Sequence, residues 1–239
     1  MKFPKKTLER KLFKSGYQGV IGVDEVGVGC LAGPVVACAV AFSEEFYLKN
    51  NPRFQGLRES KLLSAGQREK FAKELSKNKR LSYAVSSVSP KIIDKINIYQ
   101  ASKLAMIRAV CKVGGVARVG TPVTRRQQSS ISGVMRGRPP TSSISKTIVL
   151  VDGPHKIPNI QFDQQAIVKG DRNVFAIACA SILAKVYRDK IMTKYAKKYI
   201  NYGFEKHKGY GTPYHLGKLA SLGPSEIHRK SFAPVVKLL

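Results

Sequence analysis

A chain of 239 residues, 43% of them hydrophobic, is long enough to bury one sizeable core, so a single domain spanning 1–239 is expected. Its 42 Lys and Arg against 15 Asp and Glu give a net charge of +27, a positive field that draws phosphate polymers or anionic membranes. No segment reaches the ~20 apolar residues of a transmembrane span, and the basic N-terminus lacks the apolar stretch of a secretory leader. Nucleic acid is therefore the expected partner, with no membrane, and the expected location is cytoplasmic. Cys30, Cys38, Cys111 and Cys179 stand far apart with no Cys-x-x-Cys pair, which argues against a zinc site or a disulfide framework.

Residues 1–16 carry six lysines and arginines and read as a basic N-terminal arm with a short helix, solvated on its simplest reading. Tyr17 to Asp24 is the first expected strand, and it delivers two adjacent carboxylates, Asp24 and Glu25, into the turn of Gly27, Val28 and Gly29. A bare carboxylate at a buried strand end costs roughly several kcal/mol unless a cation or strong donors meet it. Either a metal ion or, more simply, capping donors and solvent satisfy that requirement. Successive strand residues point to opposite faces, so both carboxylates reach one ion only if the strand ends there. The two glycines permit such an ending and let a phosphate or sugar approach their amides.

Pro34 to Phe42, apolar on both faces, is expected as a central strand. Ser64 and Gln67 form a capping box, so a helix begins there with Phe71 and Leu75 on its buried side. Leu81 to Val88 is the third strand. Ser89-Pro90 then opens a helical stretch from Ile92 to Val113, with a candidate break at Asn97 and a stop at Gly114-Gly115.

Residues 114–146 have five arginines, many Ser, Gly and Pro, and no acid; they read as a basic disordered insertion. Thr147 to Val151 is a fourth strand ending in Asp152-Gly153, again a carboxylate at a strand terminus. Gln165 to Val168 is the fifth. Asp171 is read as the N-cap of a helix that runs to about Tyr199. On it Lys185 and Asp189, four apart, share a face with Ser181, and a surface ion pair is their simplest explanation. A short helix from Pro213 to Leu222 is the last element expected.

Taken together, these stretches resemble the type 2 ribonuclease H family, of bacterial ribonuclease HII type. The resemblance rests on Asp24-Glu-Val-Gly-Val-Gly, Ser60-Lys61, Val149-Leu-Val-Asp-Gly153, Ala180 to Asp189, His207-Lys-Gly-Tyr-Gly-Thr212 and His228-Arg-Lys-Ser-Phe232, in order. It implies an α/β ribonuclease H-like fold: a five-stranded mixed sheet flanked by helices, with a C-terminal helical and loop extension. It also implies that Asp24, Glu25, Asp152 and Asp189 gather as catalytic metal ligands for Mn²⁺ or Mg²⁺, two ions with substrate bound. Hard oxygen donors suit those ions.

The implied reaction is endonucleolytic hydrolysis of RNA in RNA/DNA hybrids and on the 5′ side of ribonucleotides within duplex DNA. It leaves 3′-hydroxyl and 5′-phosphate ends, and a monomer is expected. By the same resemblance the amides of Gly27, Val28 and Gly29 meet the 2′-hydroxyl, Tyr210 packs on the neighbouring deoxyribose, and Ser60, Lys61 and Lys185 hold phosphates. His155, His207, His215 and His228 are taken as structural. The chain departs from the family's pattern at Val28, where arginine is usual, at Cys30, where proline is, and at Glu59, where aspartate is. A non-catalytic hybrid-binding protein is the competing reading of the same charge. A ribosome-associated protein would leave the buried carboxylates unexplained.

Overall fold

The computed structural model describes residues 4–48, 52–115, 135–136 and 146–239. In chain order these form α1 (Thr7–Lys14), β1 (Gly19–Val26), β2 (Val35–Ser43), α2 (Glu44–Leu48), α3 (Ala65–Lys77), β3 (Leu81–Val88) and α4 (Pro90–Gly114). There follow β4 (Met135–Arg136), β5 (Thr147–Asp152), β6 (Asp163–Ile167), α5 (Gly170–Asn173), α6 (Phe175–Lys198), α7 (Phe204–His207), α8 (Pro213–Leu222) and α9 (Ala233–Val236).

The five expected strands build a mixed sheet in the order β3-β2-β1-β5-β6, and β4 adds two residues to its β3 edge. β1, β2 and β3 are antiparallel neighbours, while β5 and β6 run parallel to β1. This is the α/β sheet expected. Most of the basic stretch expected between 114 and 146 lies outside the described residues. The reading of loop throughout is corrected at Met135–Arg136, which pairs with Tyr83 and Ala84.

Alternation along β1 and β2 sends side chains to two cores. Val20, Val36, Cys38 and Val40 pack under α6, whereas Ile21, Val23, Ala37 and Ala39 pack under α4. Small residues on α6 bring it close to the sheet: a Cβ on Gly22 would stand 2.3 Å from the Ala176 carbonyl carbon. On α4, Asn97 has φ 64° and breaks the helical path, and its side chain accepts from the Gln100 amide at 3.0 Å.

Two helix readings are corrected. The expected single helix from Gly170 to Tyr199 is interrupted at Val174, which is extended, so α6 starts afresh at Phe175. Asp171 lies inside α5 and is not its N-cap, which is Lys169. The N-terminal arm is also not merely solvated. Glu9 and Phe13 of α1 are buried, and the Glu9 carboxylate accepts from the Ala176 amide at 2.9 Å, an orphan donor in the first turn of α6. Lys6 lies over the rings of Phe46 and Phe175 at 5.0 and 4.7 Å.

Candidate active site

β1 continues through Val26, so Asp24 and Glu25 face opposite sides of the sheet. Asp24 shares its side with Val20 and α6, and Glu25 shares its side with Val23 and α4. On β5, Val151 is paired with Val23, so the register carried one residue further sets Asp152 beside Asp24. Ile148 and Leu150 lie in the α6 core, and Asp152 follows on that same face. Adjacent strands are ~4.8 Å apart, and the two carboxylates therefore repel each other.

Each of these groups has its own support. Asp24 is buried; its Oδ1 accepts the Glu25 amide at 2.8 Å, and the Ser181 hydroxyl hydrogen-bonds to it. Ser181 in turn shares a hydrogen bond of 2.9 Å with Ser60, whose hydroxyl is thus turned inward and buried. Asp152 accepts from the Gly170 amide at 2.7 Å and weakly from Asp171 at 3.4 Å. Burial, then Glu25 and Asp152, drive the Asp24 carboxyl well above its ordinary range. Burial and Asp152 push Glu25 up to about 7, against the opposing pull of Lys103 and Lys61.

Two groups that sequence reasoning passed over belong here. Asp171 is buried, acts on Asp24, and is raised by burial and by Asp152 and Glu59. Its only sequence signal, a carboxylate after glycine at a helix start, was read as a cap. Lys103 of α4 is buried beside Glu25, lies 5.6 Å over the Tyr99 ring, and donates to the His155 carbonyl at 3.3 Å. Nothing in the helical pattern of α4 singles it out.

Asp189 is not placed with this group. Ser181 meets Asp24, and Asp189 lies eight residues further along α6, about 12 Å along the helix axis. Its Oδ1 instead pairs with Lys185 Nζ at 2.6 Å, the ion pair that the sequence allowed as the simple reading. The Lys185 ammonium also lies 5.9 Å from the centre of the Tyr210 ring. Lys61 is exposed, and its charge acts on Glu25 and Asp171. Glu59 is buried and paired to Arg172 at 2.8 Å.

The turn after β1 is clamped from behind. Arg229, wholly buried, donates to the carbonyls of Gly27, Val28 and Gly33 at 2.6, 2.8 and 3.1 Å. Arg188, also buried, donates to those of Ala32, Pro34 and Lys208 at 3.1, 3.0 and 2.8 Å. Drawing the Gly27 and Val28 carbonyls inward turns the Val28 and Gly29 amides the opposite way, toward solvent, because the C=O and the following N–H of one trans peptide unit point in opposite directions. Gly27 has φ +92°, and a Cβ there would meet Arg188 Nε at 2.3 Å, so glycine is required. Gly29 has open space around it. The Val28 side chain is exposed, and Tyr210 is 39% exposed across the turn, its backbone bridged to Cys30.

No three His, Cys, Asp or Glu side chains among the described residues stand close enough together to hold a metal ion. By chemistry, though, the set fits a hard cation. It is all carboxylate oxygen and mutually repelling, burial raises Asp24, Glu25 and Asp171, and Lys103 and Lys61 are the cations that oppose this at Glu25. No described helix is long and apolar enough to cross a membrane.

A mixed sheet with a three-stranded antiparallel half and two parallel strands, flanked by helices, is the ribonuclease H-like α/β fold. The crystal structure of ribonuclease H2 from Pyrococcus horikoshii OT3 aligns with a TM-score of 0.64 at 24% identity, over 92% of this chain and 96% of that one. The ribonuclease HII chain of the PCNA complex from Archaeoglobus fulgidus aligns with a TM-score of 0.62 at 26% identity, covering 88% and 92%. Within that class the chain belongs to the ribonuclease HII family, whose model matches residues 21–124 and 123–235. Ribonuclease HII of Caldicellulosiruptor bescii is 43% identical over 225 residues, 94% of this chain and 91% of that protein. The protein is accordingly an endoribonuclease of the ribonuclease H type.

Proposed function

We propose that the protein hydrolyses the RNA strand of RNA/DNA hybrids and cuts on the 5′ side of ribonucleotides embedded in duplex DNA, leaving 3′-hydroxyl and 5′-phosphate ends. The observation that carries this reading is the juxtaposition of Asp24 and Asp152 on adjacent strands, both facing α6, with Glu25 and Asp171 acting on the same group. Asp24, Asp152 and Asp171 would hold Mg²⁺ or Mn²⁺ on the α6 face, with Asp171 taking the place expected of Asp189, and Glu25, on the other face of β1, would bear on the ion by its charge from near the strand's end. The bound ion would supply Lewis acidity, lowering the pKa of the attacking water and offsetting charge on the phosphorane.

The rest of the work falls to the chain's own groups. Ser181 and the Glu25 amide orient Asp24, and the Gly170 amide orients Asp152, so two carboxylates are fixed before substrate arrives. The outward amides of Val28 and Gly29 are donors for a sugar hydroxyl, and it is this contact that separates RNA from DNA. Lys61, exposed, and Lys185, once released from Asp189, would meet phosphates, which set the duplex's position without reading sequence. Tyr210, exposed across the turn, offers a flat apolar face to the next sugar.

Duplex DNA carrying one ribonucleotide, and an RNA/DNA hybrid, are incubated with Mn²⁺ and then with chelator. Metal-dependent product is expected from the natural chain. Asp152→Asn is expected to lose hydrolysis while it still binds the hybrid. Undiminished turnover by Asp152→Asn in Mn²⁺ would remove Asp152 from the chemistry, and absence of any metal-dependent product would favour a hybrid-binding role.

A further inference from the structure

His207, His215 and His228 are buried together beneath Tyr210, and their partners fix the proton on each ring. His207 Nε2 lies 2.9 Å from the Tyr202 carbonyl, and its Nδ1 accepts the Gly209 amide at 3.2 Å, so the proton is on Nε2. His215 Nδ1 lies 2.9 Å from the Tyr210 carbonyl, which can only accept, so the proton there is on Nδ1 and Nε2 carries a lone pair. His228 Nδ1 accepts from the Ser225 amide at 2.9 Å, with the Ser225 hydroxyl at 2.8 Å, which leaves its proton on Nε2. The two Nε2 atoms are 3.0 Å apart, and this assignment makes one the donor and the other the acceptor. All three rings are neutral, and no donor or acceptor is left over. His207 stacks on His215 at 4.1 Å, and Phe204 closes the group at 5.5 Å from His215.

The chain of bonds leads somewhere. The turn segment Cys30 to Ala32 is bridged to Tyr210 at one end and to His228 at the other. His215, on α8, spans the gap between those two ends from below. The three segments form a closed arch whose keystone contact is the one between His215 and the Tyr210 carbonyl.

We propose that His215 and His228 are positioning residues for Tyr210: the ordered relay from Ser225 through His228 and His215 sets the height and tilt of the tyrosine over the turn. The relay thereby governs how well the enzyme distinguishes a ribonucleotide followed by deoxyribose from a continuous RNA strand. This rests on the proposed function, in which Tyr210 meets the sugar.

Two near-isosteric replacements separate the relay's halves. His215→Asn keeps a donor where Nδ1 stands and loses the contact to His228, whereas His215→Gln keeps a group where Nε2 stands and loses the donor to Tyr210. The readout is the ratio of kcat/KM on single-ribonucleotide duplex to that on RNA/DNA hybrid. His215→Gln is expected to lower that ratio about tenfold, the effect of one mispositioned contact, and His215→Asn, which cuts the relay at His228 but keeps the donor to Tyr210, to lower it about threefold. Tyr210→Ala serves as the reference and should lower the ratio at least as far. An unchanged ratio in His215→Gln beside a lowered one in Tyr210→Ala would overturn the relay alone. An unchanged ratio in Tyr210→Ala would overturn the reading of Tyr210 on which it rests. If the replacements do not fold, ¹⁵N spectra of the natural chain decide at neutral pH: Nδ1-protonated His215 with Nε2-protonated His228 is expected, and Nε2-protonated His215 would overturn the proposal.

Discussion

Replacing Glu9 tests whether the first helix is part of the fold or an appendage of it. The Glu9 carboxylate is inaccessible to solvent, takes up the Ala176 amide, and leaves its Oε2 without a hydrogen-bond partner. The Tyr47 hydroxyl is buried against the same carboxylate, which joins burial in raising its pKa. Glu9→Ala removes the acceptor of a buried amide, a loss of about 1–3 kcal/mol, and a buried methylene adds roughly 0.8 kcal/mol. Relief from burying a charge offsets part of this, so a net loss of about 2 kcal/mol is expected.

Glu9→Gln keeps the acceptor, removes the charge, and puts an amino group where Oε2 had no partner, within influence of Tyr47. It should be as stable as the natural chain or more so. Burial raises the Glu9 pKa above 4.5 despite the amides that pull it down. The folded state therefore holds its proton more tightly than the unfolded state does. That stabilisation is complete below 4.5 and is lost as pH rises through the folded value, so the advantage of Glu9→Gln should widen with pH. Urea unfolding at pH 5 and pH 8 measures both effects. If Gln destabilises as much as Ala, or if the Gln advantage does not change with pH, the carboxylate does not cap α6 in the manner described.

His215 and His228 have pKa values lowered to about 4, by burial first and then by their neighbours. The unfolded chain binds those protons more readily, so stability is full above about 6.5 and falls as pH drops toward 4, by roughly 3 kcal/mol for the hydrogen-bonded pair; a flat unfolding midpoint between pH 7 and pH 4.5 would count against the neutral pair. Gly22→Ala would thrust a methyl into the α6 backbone, and the loss should exceed the ~3 kcal/mol of ordinary overpacking; a soluble, cooperatively melting Gly22→Ala protein would show that α6 can stand off. Lys61→Ala should reduce the salt slope of duplex binding by about 0.9, whereas Lys185→Ala should reduce it less, because Asp189 already holds that ammonium; equal changes measured by titration at several salt concentrations would show the pair opening freely.

The elements with strong local signatures were legible. Apolar runs marked the strands, Ser64 and Gln67 marked the start of α3 with both capping bonds formed, and Asn97 marked the break in α4. The acidic group was legible only in part. Asp24, Glu25 and Asp152 announce themselves by closing apolar runs, but Asp171 sits where a cap is the commoner meaning. Asp189 was carried in by resemblance, and only the packing of Ser181 against Asp24 shows how far along α6 it lies. Lys103 and Glu9 act through partners 78 and 167 residues away in sequence, a relation no local pattern encodes. The docking of α1 was invisible for the same reason: its single acid is outnumbered by lysines, and charge alone suggested solvent.

The clamp on the β1 turn ties the beginning of the molecule to its end. Arg188 and Arg229 reach carbonyls 154 to 202 positions earlier, and those bonds cannot exist until the later segments have been synthesised and folded back. A ribosome-bound nascent chain that has exposed everything through α6 would already hold Asp24, Glu25, Asp152, Asp171 and Arg188, and would still lack the Arg229 bonds that draw in the Gly27 and Val28 carbonyls. C-terminal truncations ahead of Arg229 should therefore leave the acidic strand ends assembled and the β1 turn unclamped, with selection for ribose lost.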